Sequence, residues 1–148
     1  MVRVRIEREN WVFISAYGQG SERSEEEIEE FCSELSECVG TFGGNESVVA
    51  LGNLKSRVGN EEIEVIVRQH GVPERNESGE RLLEMCAEQE LVVSNSWFQK
   101  KDLHKYAVEN GKRKGDIPGI DELCDVTKTN AWKTFRCETV ERRRWRNV

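Results

Sequence analysis

Hydrophobic and polar positions alternate from the first residues of the chain. Val2, Val4 and Ile6 are separated by Arg3 and Arg5, which is the period of a strand with one apolar face. Trp11 to Tyr17 (Trp-Val-Phe-Ile-Ser-Ala-Tyr) is a near-continuous apolar run rich in β-formers, and it predicts a strand buried on both faces. Gly18, Gly20 and Ser21 stop that run. Ser24 then reads as a helix N-cap, with Glu27 three residues later completing a capping box. Ile28, Phe31, Cys32, Leu35 and Val39 follow at helical spacing, glutamates line the other face, and Gly40, Gly43 and Gly44 end the helix.

Ser47 to Leu51 predicts a short apolar strand that runs directly into Gly52-Asn53-Leu54-Lys55. Residues 56–75 are mostly polar, and the Val/Ile segment Ile63 to Val67 is compatible with strand or helix. Ser78 is the expected cap of a second helix carrying Leu82, Leu83 and Cys86 on its apolar side. Leu91-Val92-Val93 opens a further strand that ends at Asn95-Ser96-Trp97-Phe98. Strand, helix, strand, loop, helix, strand is the order of a layered α/β domain.

After Tyr106 the pattern weakens. Glu109 to Gly119 is charged and contains Gly and Pro, and Trp132, Phe135 and Trp145 show no common period. The expected division is an α/β body over residues 1–110 and a basic, poorly ordered tail over 111–148. That tail reads either as a solvated, partly disordered segment or as a nucleic-acid contact made by Arg142, Arg143, Arg144, Trp145 and Arg146.

Composition narrows the picture. A chain of 148 residues suits one domain, but 36% hydrophobic and 34% charged residues allow only a small core. No apolar run has the length of a membrane span and no signal-peptide pattern opens the chain, so an intracellular location, nuclear or cytoplasmic, is expected. The net charge of −6 is unevenly spread. Residues 111–148 hold ten basic and six acidic residues, which leaves the acidic excess in the body. Such a body binds DNA only through a local site. The five cysteines are widely spaced, with no C-x-x-C and no neighbouring histidine. They argue against both a disulfide framework and a zinc site, so no metal ligands are assigned.

Several segments, in order, carry a family resemblance. They are Ile14-Ser15-Ala16-Tyr17-Gly18, Val48 to Gly59 around Gly52-Asn53-Leu54-Lys55, Gly71 to Leu83, and Leu91 to Phe98. Over residues 10 to 106 the chain resembles the endonuclease domain of RTE-type non-LTR retrotransposons, and it closely resembles the bucentaur-related and craniofacial development proteins that carry such a domain. That domain belongs to the endonuclease/exonuclease/phosphatase family, which includes apurinic/apyrimidinic endonucleases. The resemblance implies a two-sheet α/β sandwich, present here in part, and Mg²⁺-dependent phosphodiester hydrolysis. In the family a Gly-Asp-x-Asn motif holds and activates the attacking water, a Glu on an earlier strand binds the metal, a later Ser-Asp-His contacts the phosphate, and a Tyr faces it. A transition state with this much negative charge needs a cation, donors and an oriented water.

The departures from that pattern are large. Gly52-Asn53-Leu54-Lys55 stands where Gly-Asp-x-Asn is expected, so both functional positions differ. Asn53 keeps an oxygen acceptor but cannot take the water's proton at neutral pH, a loss worth on the order of 10²–10⁴ in rate. Lys55 places a cation where a neutral amide should be. At about 4 Å and an effective dielectric near 20, two unit charges repel by about 4 kcal/mol, and a divalent ion feels about double that as an upper bound. The sequence begins after the part that supplies the metal-binding Glu, Glu7 and Glu9 are misplaced to replace it, and no Ser-Asp-His occurs. Of the site the resemblance implies, Tyr17, Asn53, Lys55 and Asn95 remain as candidate positions, with Mg²⁺ expected in the family and no cofactor assigned to this chain.

Three expectations stay open. The first is a retrotransposon-derived nuclease domain without hydrolytic activity. The second is a chromatin- or nucleic-acid-associated interaction module using the basic tail, with a weak DNA contact or a protein partner and no membrane. The third is an exon or reading-frame fragment that does not fold stably, because its remaining sheet exposes edges and an apolar face that the whole fold covers.

Overall fold

The computed structural model describes residues 1–18, 24–43, 46–99 and 126–128. Its centre is a mixed five-stranded sheet: β1 (Val2–Ile6), β2 (Glu9–Ser15), β3 (Glu46–Leu51), β4 (Leu91–Val93) and β5 (Val126–Lys128), in the spatial order β1-β2-β3-β5-β4. β1 and β2 form an antiparallel hairpin in which Val4 lies opposite Trp11 and Arg3 opposite Val12. Glu7 turns the hairpin with a φ of 55°. β2 and β3 run parallel, with Ile14 opposite Ala50 and Ser15 opposite Leu51.

Parallel neighbours need a crossover, and α1 (Glu25–Gly40) supplies it. Its start follows the predicted capping box. The Glu27 N–H donates to Ser24 Oγ at 3.3 Å, and the Ser24 N–H donates to Glu27 Oε2 at 2.8 Å. Ile28, Cys32, Leu35 and Val39 are its buried stripe, with Phe31 half-buried beside them. The second helix, α2 (Glu77–Glu88), is capped by Asn76 rather than by Ser78, which lies buried within its first turn. Both helices pack on one face of the sheet, over Val12, Ile14, Val48, Ala50, Leu91, Val93 and Val126. Alternation sends Trp11, Phe13, Val49 and Val92 to the other face, where Trp11 and Phe13 stack with ring centroids 6.1 Å apart.

Two further expectations need correction. The strand at Leu91 stops at Val93, and Ser94–Trp97 is a short 3₁₀ helix instead of its continuation. Ile63 to Val67 is neither strand nor helix but a tight turn, closed by a bridge between its end residues and turned by Glu64 at φ 38°. Within the stretch expected as a basic, poorly ordered tail, Val126 is fully buried, and β5 pairs antiparallel with both β3 and β4. The body therefore draws on residues beyond 110, and the other residues of 111–148 lie outside the described ones.

Cys32 and Cys86 are buried, and burial, with Cys32 adding in the same direction, pushes the Cys86 thiol up to about 12. At pH 8 the thiolate fraction of such a group is roughly 10⁻⁴, so alkylation of the native chain is expected to label Cys38 and spare Cys86, read by mass spectrometry. A thiol pKa raised by folding favours the folded state fully below pH 9, its ordinary value, and that contribution is lost as pH climbs towards about 12.

Candidate functional site

β2 and β3 end at the same edge of the sheet because they run parallel. β4 ends there as well: β5 is antiparallel to both β3 and β4, and it aligns Ala50, Val126 and Val93 in one row. Two residues beyond that row in each strand lie Ala16, Gly52 and Asn95. The topology thus brings Tyr17, Asn53, Lys55 and Asn95 to one edge, although they are far apart in sequence. Their exposure differs. Tyr17 is 67% exposed, Asn53 and Lys55 are half-buried, and Asn95 is buried at 5%.

The loops at this edge are stitched by backbone bonds. The Ala16 N–H donates to Leu51 O and the Gly18 N–H to Asn53 O, both at 2.9 Å. Gly52 is required here. Its φ is +146°, and a Cβ would lie 1.9 Å from Ala16 O. Just beyond it Asn53 Oδ1 accepts from the Lys55 N–H at 3.2 Å, an Asx turn that turns the carboxamide oxygen back onto its own loop. Lys55 follows in the left-handed region at φ 56°, a conformation that costs a lysine more than an asparagine or glycine. Ser56 Oγ closes the turn by donating to Leu54 O at 3.0 Å.

Asn76 anchors this loop to α2, a role the sequence reading assigned to no residue. Its Oδ1 accepts from the Arg57 N–H at 2.8 Å and from the Gly79 N–H at 2.9 Å, and its Nδ2 donates to Lys55 O at 3.3 Å. Its own N–H donates to Arg57 O. The signal was present in Asn76-x-x-Gly79, a good capping residue with a glycine three positions on. Ser96 does similar work near β4. Its Oγ donates to Val93 O at 2.7 Å and accepts from the Arg68 N–H at 3.0 Å, which fixes the 63–70 loop beside the 3₁₀ helix. The Arg68 guanidinium then stacks over Trp97, 4.7 Å from the ring centroid.

Mg²⁺ seeks octahedral oxygen ligands with at least one or two carboxylates. The candidate positions at this edge offer a phenol, two neutral amides and an ammonium, a donor set that does not fit the ion. Among the described residues no group of three or more His, Cys, Asp or Glu could hold a metal. The nearby arginines are committed to carboxylates of the same loops, Arg57 to Glu74 at 2.9 Å and Arg75 to Glu61 at 3.8 Å. Arg142, Arg143, Arg144, Trp145 and Arg146 lie outside the described residues. Among the described residues no helix is long and apolar enough to cross a membrane.

No protein-family profile matches the chain. Two curated proteins do. Craniofacial development protein 2 of Bos taurus is 27% identical over 124 residues, 81% of this chain and 21% of that protein. Craniofacial development protein 2 of Tragulus javanicus is 25% identical over 113 residues, 75% of this chain and 20% of that protein. The chain spans about a fifth of the length of the curated relatives it matches. It is a mixed α/β chain with distant similarity to one stretch of craniofacial development protein 2.

Proposed function

We propose that this chain is a retrotransposon-derived, degenerate copy of a Mg²⁺-dependent endonuclease domain of the endonuclease/exonuclease/phosphatase type, without hydrolytic activity. In this reading the five-stranded sheet is one layer of a two-sheet sandwich. The apolar face carrying Trp11, Phe13, Val49 and Val92 is the side that meets the second layer. The ordered motifs from Ile14 to Phe98 support the family.

One observation carries the loss of activity. At the sheet edge shared by Tyr17 and Asn95, the Asn53 oxygen is held on the Lys55 N–H, and the Lys55 side chain is a cation. A general base has to accept a proton from water, and Asn53 has none of the required basicity. An ammonium two residues away opposes a divalent ion. The phenol, two amides and ammonium at this edge do not suit a divalent ion.

Purified chain incubated with Mg²⁺ or Mn²⁺ and abasic-site DNA is expected to show no cleavage above a protein-free blank. Asn53→Asp with Lys55→Asn is expected to leave the assay at background as well, since these changes supply no phosphate-contacting Ser-Asp-His, a motif this sequence does not contain. The same double substitution puts a residue suited to positive φ at position 55, so the variant should fold at least as well as the parent. Metal-dependent turnover that disappears in Tyr17→Phe would overturn the reading.

A further inference from the structure

From the open edge of β1 we infer that this strand is a docking site for an extended peptide segment alternating apolar and acidic residues, added to the sheet as a further strand. This does not depend on the nuclease-derived reading. β1 is the terminal strand of the sheet, and all five of its residues are exposed. Its outer backbone pairs with no described strand, so its N–H and C=O groups are open to a partner. Two faces then define what fits. On the face away from the helices, Val2, Val4 and Ile6 are 60%, 39% and 42% exposed, on the same side of the hairpin as the buried Trp11 and the half-buried Phe13. On the helix face stand Arg3 and Arg5, opposite Val12 and Asn10.

A second copy of this chain is a poor occupant. Antiparallel pairing of two β1 strands that keeps the valines on one face sets Arg3 of each copy opposite Arg5 of the other, and like charges directly opposite oppose pairing. A shift by one residue sets valine against arginine and sends apolar side chains to the wrong face. A strand with acidic residues at alternate positions meets both demands: apolar side chains extend the Val2-Val4-Ile6 row, and carboxylates face the guanidinium groups. Arg3 already accommodates one such partner inside the chain, with Nε 3.0 Å from Glu46 Oε1 and its guanidinium 5.4 Å from the Phe42 ring centroid. Arg5 forms no ion pair with a described residue and offers the freer charge.

The test uses the full chain and a capped synthetic peptide, Ser-Val-Glu-Val-Glu-Val-Ser, beside a control with lysine for both glutamates. Amide hydrogen exchange, read residue by residue, is expected to slow along Val2–Ile6 in the acidic peptide alone, with affinity at least about tenfold above the lysine control. Arg5→Glu, which leaves the Arg3–Glu46 pair intact, should reduce that preference several-fold, and Arg3→Glu with Arg5→Glu should invert it. Absence of binding, equal binding of both peptides, or binding that leaves the Val2–Ile6 amides unchanged would each overturn the proposal. So would slowing of the same amides by self-association at raised protein concentration without peptide.

Discussion

Gly52→Ala is expected to lower the stability of the folded chain by about 3 kcal/mol, seen in urea unfolding as a lower midpoint at an unchanged slope. Two independent costs act at this position. A φ of +146° lies where side-chain-bearing residues are strained, and the added Cβ would sit 1.9 Å from the carbonyl oxygen of Ala16. Relief requires the β3 loop to move away from the β2 loop, which breaks the bonds from Ala16 to Leu51 and from Gly18 to Asn53. The loss is a large fraction of the stability of an ordinary domain. A midpoint within about 0.5 kcal/mol of the parent would show that the two loops do not meet as described.

Asn76→Ala is expected to cost a similar amount, about 2–3 kcal/mol. Loss of an asparagine N-cap is worth about 1 kcal/mol, and the Arg57 N–H and Lys55 carbonyl lose their side-chain partner as well. Asn76→Asp separates these contributions. It keeps an acceptor for the Arg57 and Gly79 N–H groups and loses only the donor to Lys55 O, so about 1 kcal/mol or less should be lost. The measurement is again denaturant unfolding, with helical circular dichroism as a second probe. If both variants lose the same amount, the Nδ2 tie to Lys55 O and not the cap is what matters.

The contrast between the two helix starts explains what the sequence could and could not reveal. The capping box at Ser24 is complete within four residues, so it could be read directly. At α2 both Asn76 and Ser78 are good caps. The choice is made by a bond from the Arg57 N–H, nineteen positions away, together with the approach of Arg57 O to Gly79, where an added Cβ would clash at 1.8 Å. No local pattern carries that information. The strands β1, β2 and β3 followed from alternation and apolar runs, whereas the pairing of β1 with β2 as a hairpin did not. β5 did not, because Val126–Lys128 is too short to show a period, and its strand geometry comes from the neighbours that hydrogen-bond it. At the candidate site, the ordered motifs named the residues, while their meeting at one edge came from the parallel arrangement of β2, β3 and β4. Asn95 also shows the limit of the motif: its position was expected, its burial was not.

The insertion of β5 between β3 and β4 also governs the order in which the molecule can assemble. β1, β2, α1 and β3 are consecutive in sequence and can associate early as the chain is synthesised from its N-terminus. α2 and β4 form a second local unit, but among the described residues no strand pairing joins it to β3 until Val126–Lys128 arrives. A contact made late between distant parts of the sequence carries a high loop-closure cost and slows folding. During that interval β3 and β4 both present bare edges, so the nascent chain is most vulnerable to aggregation and proteolysis just before its last described strand is in place.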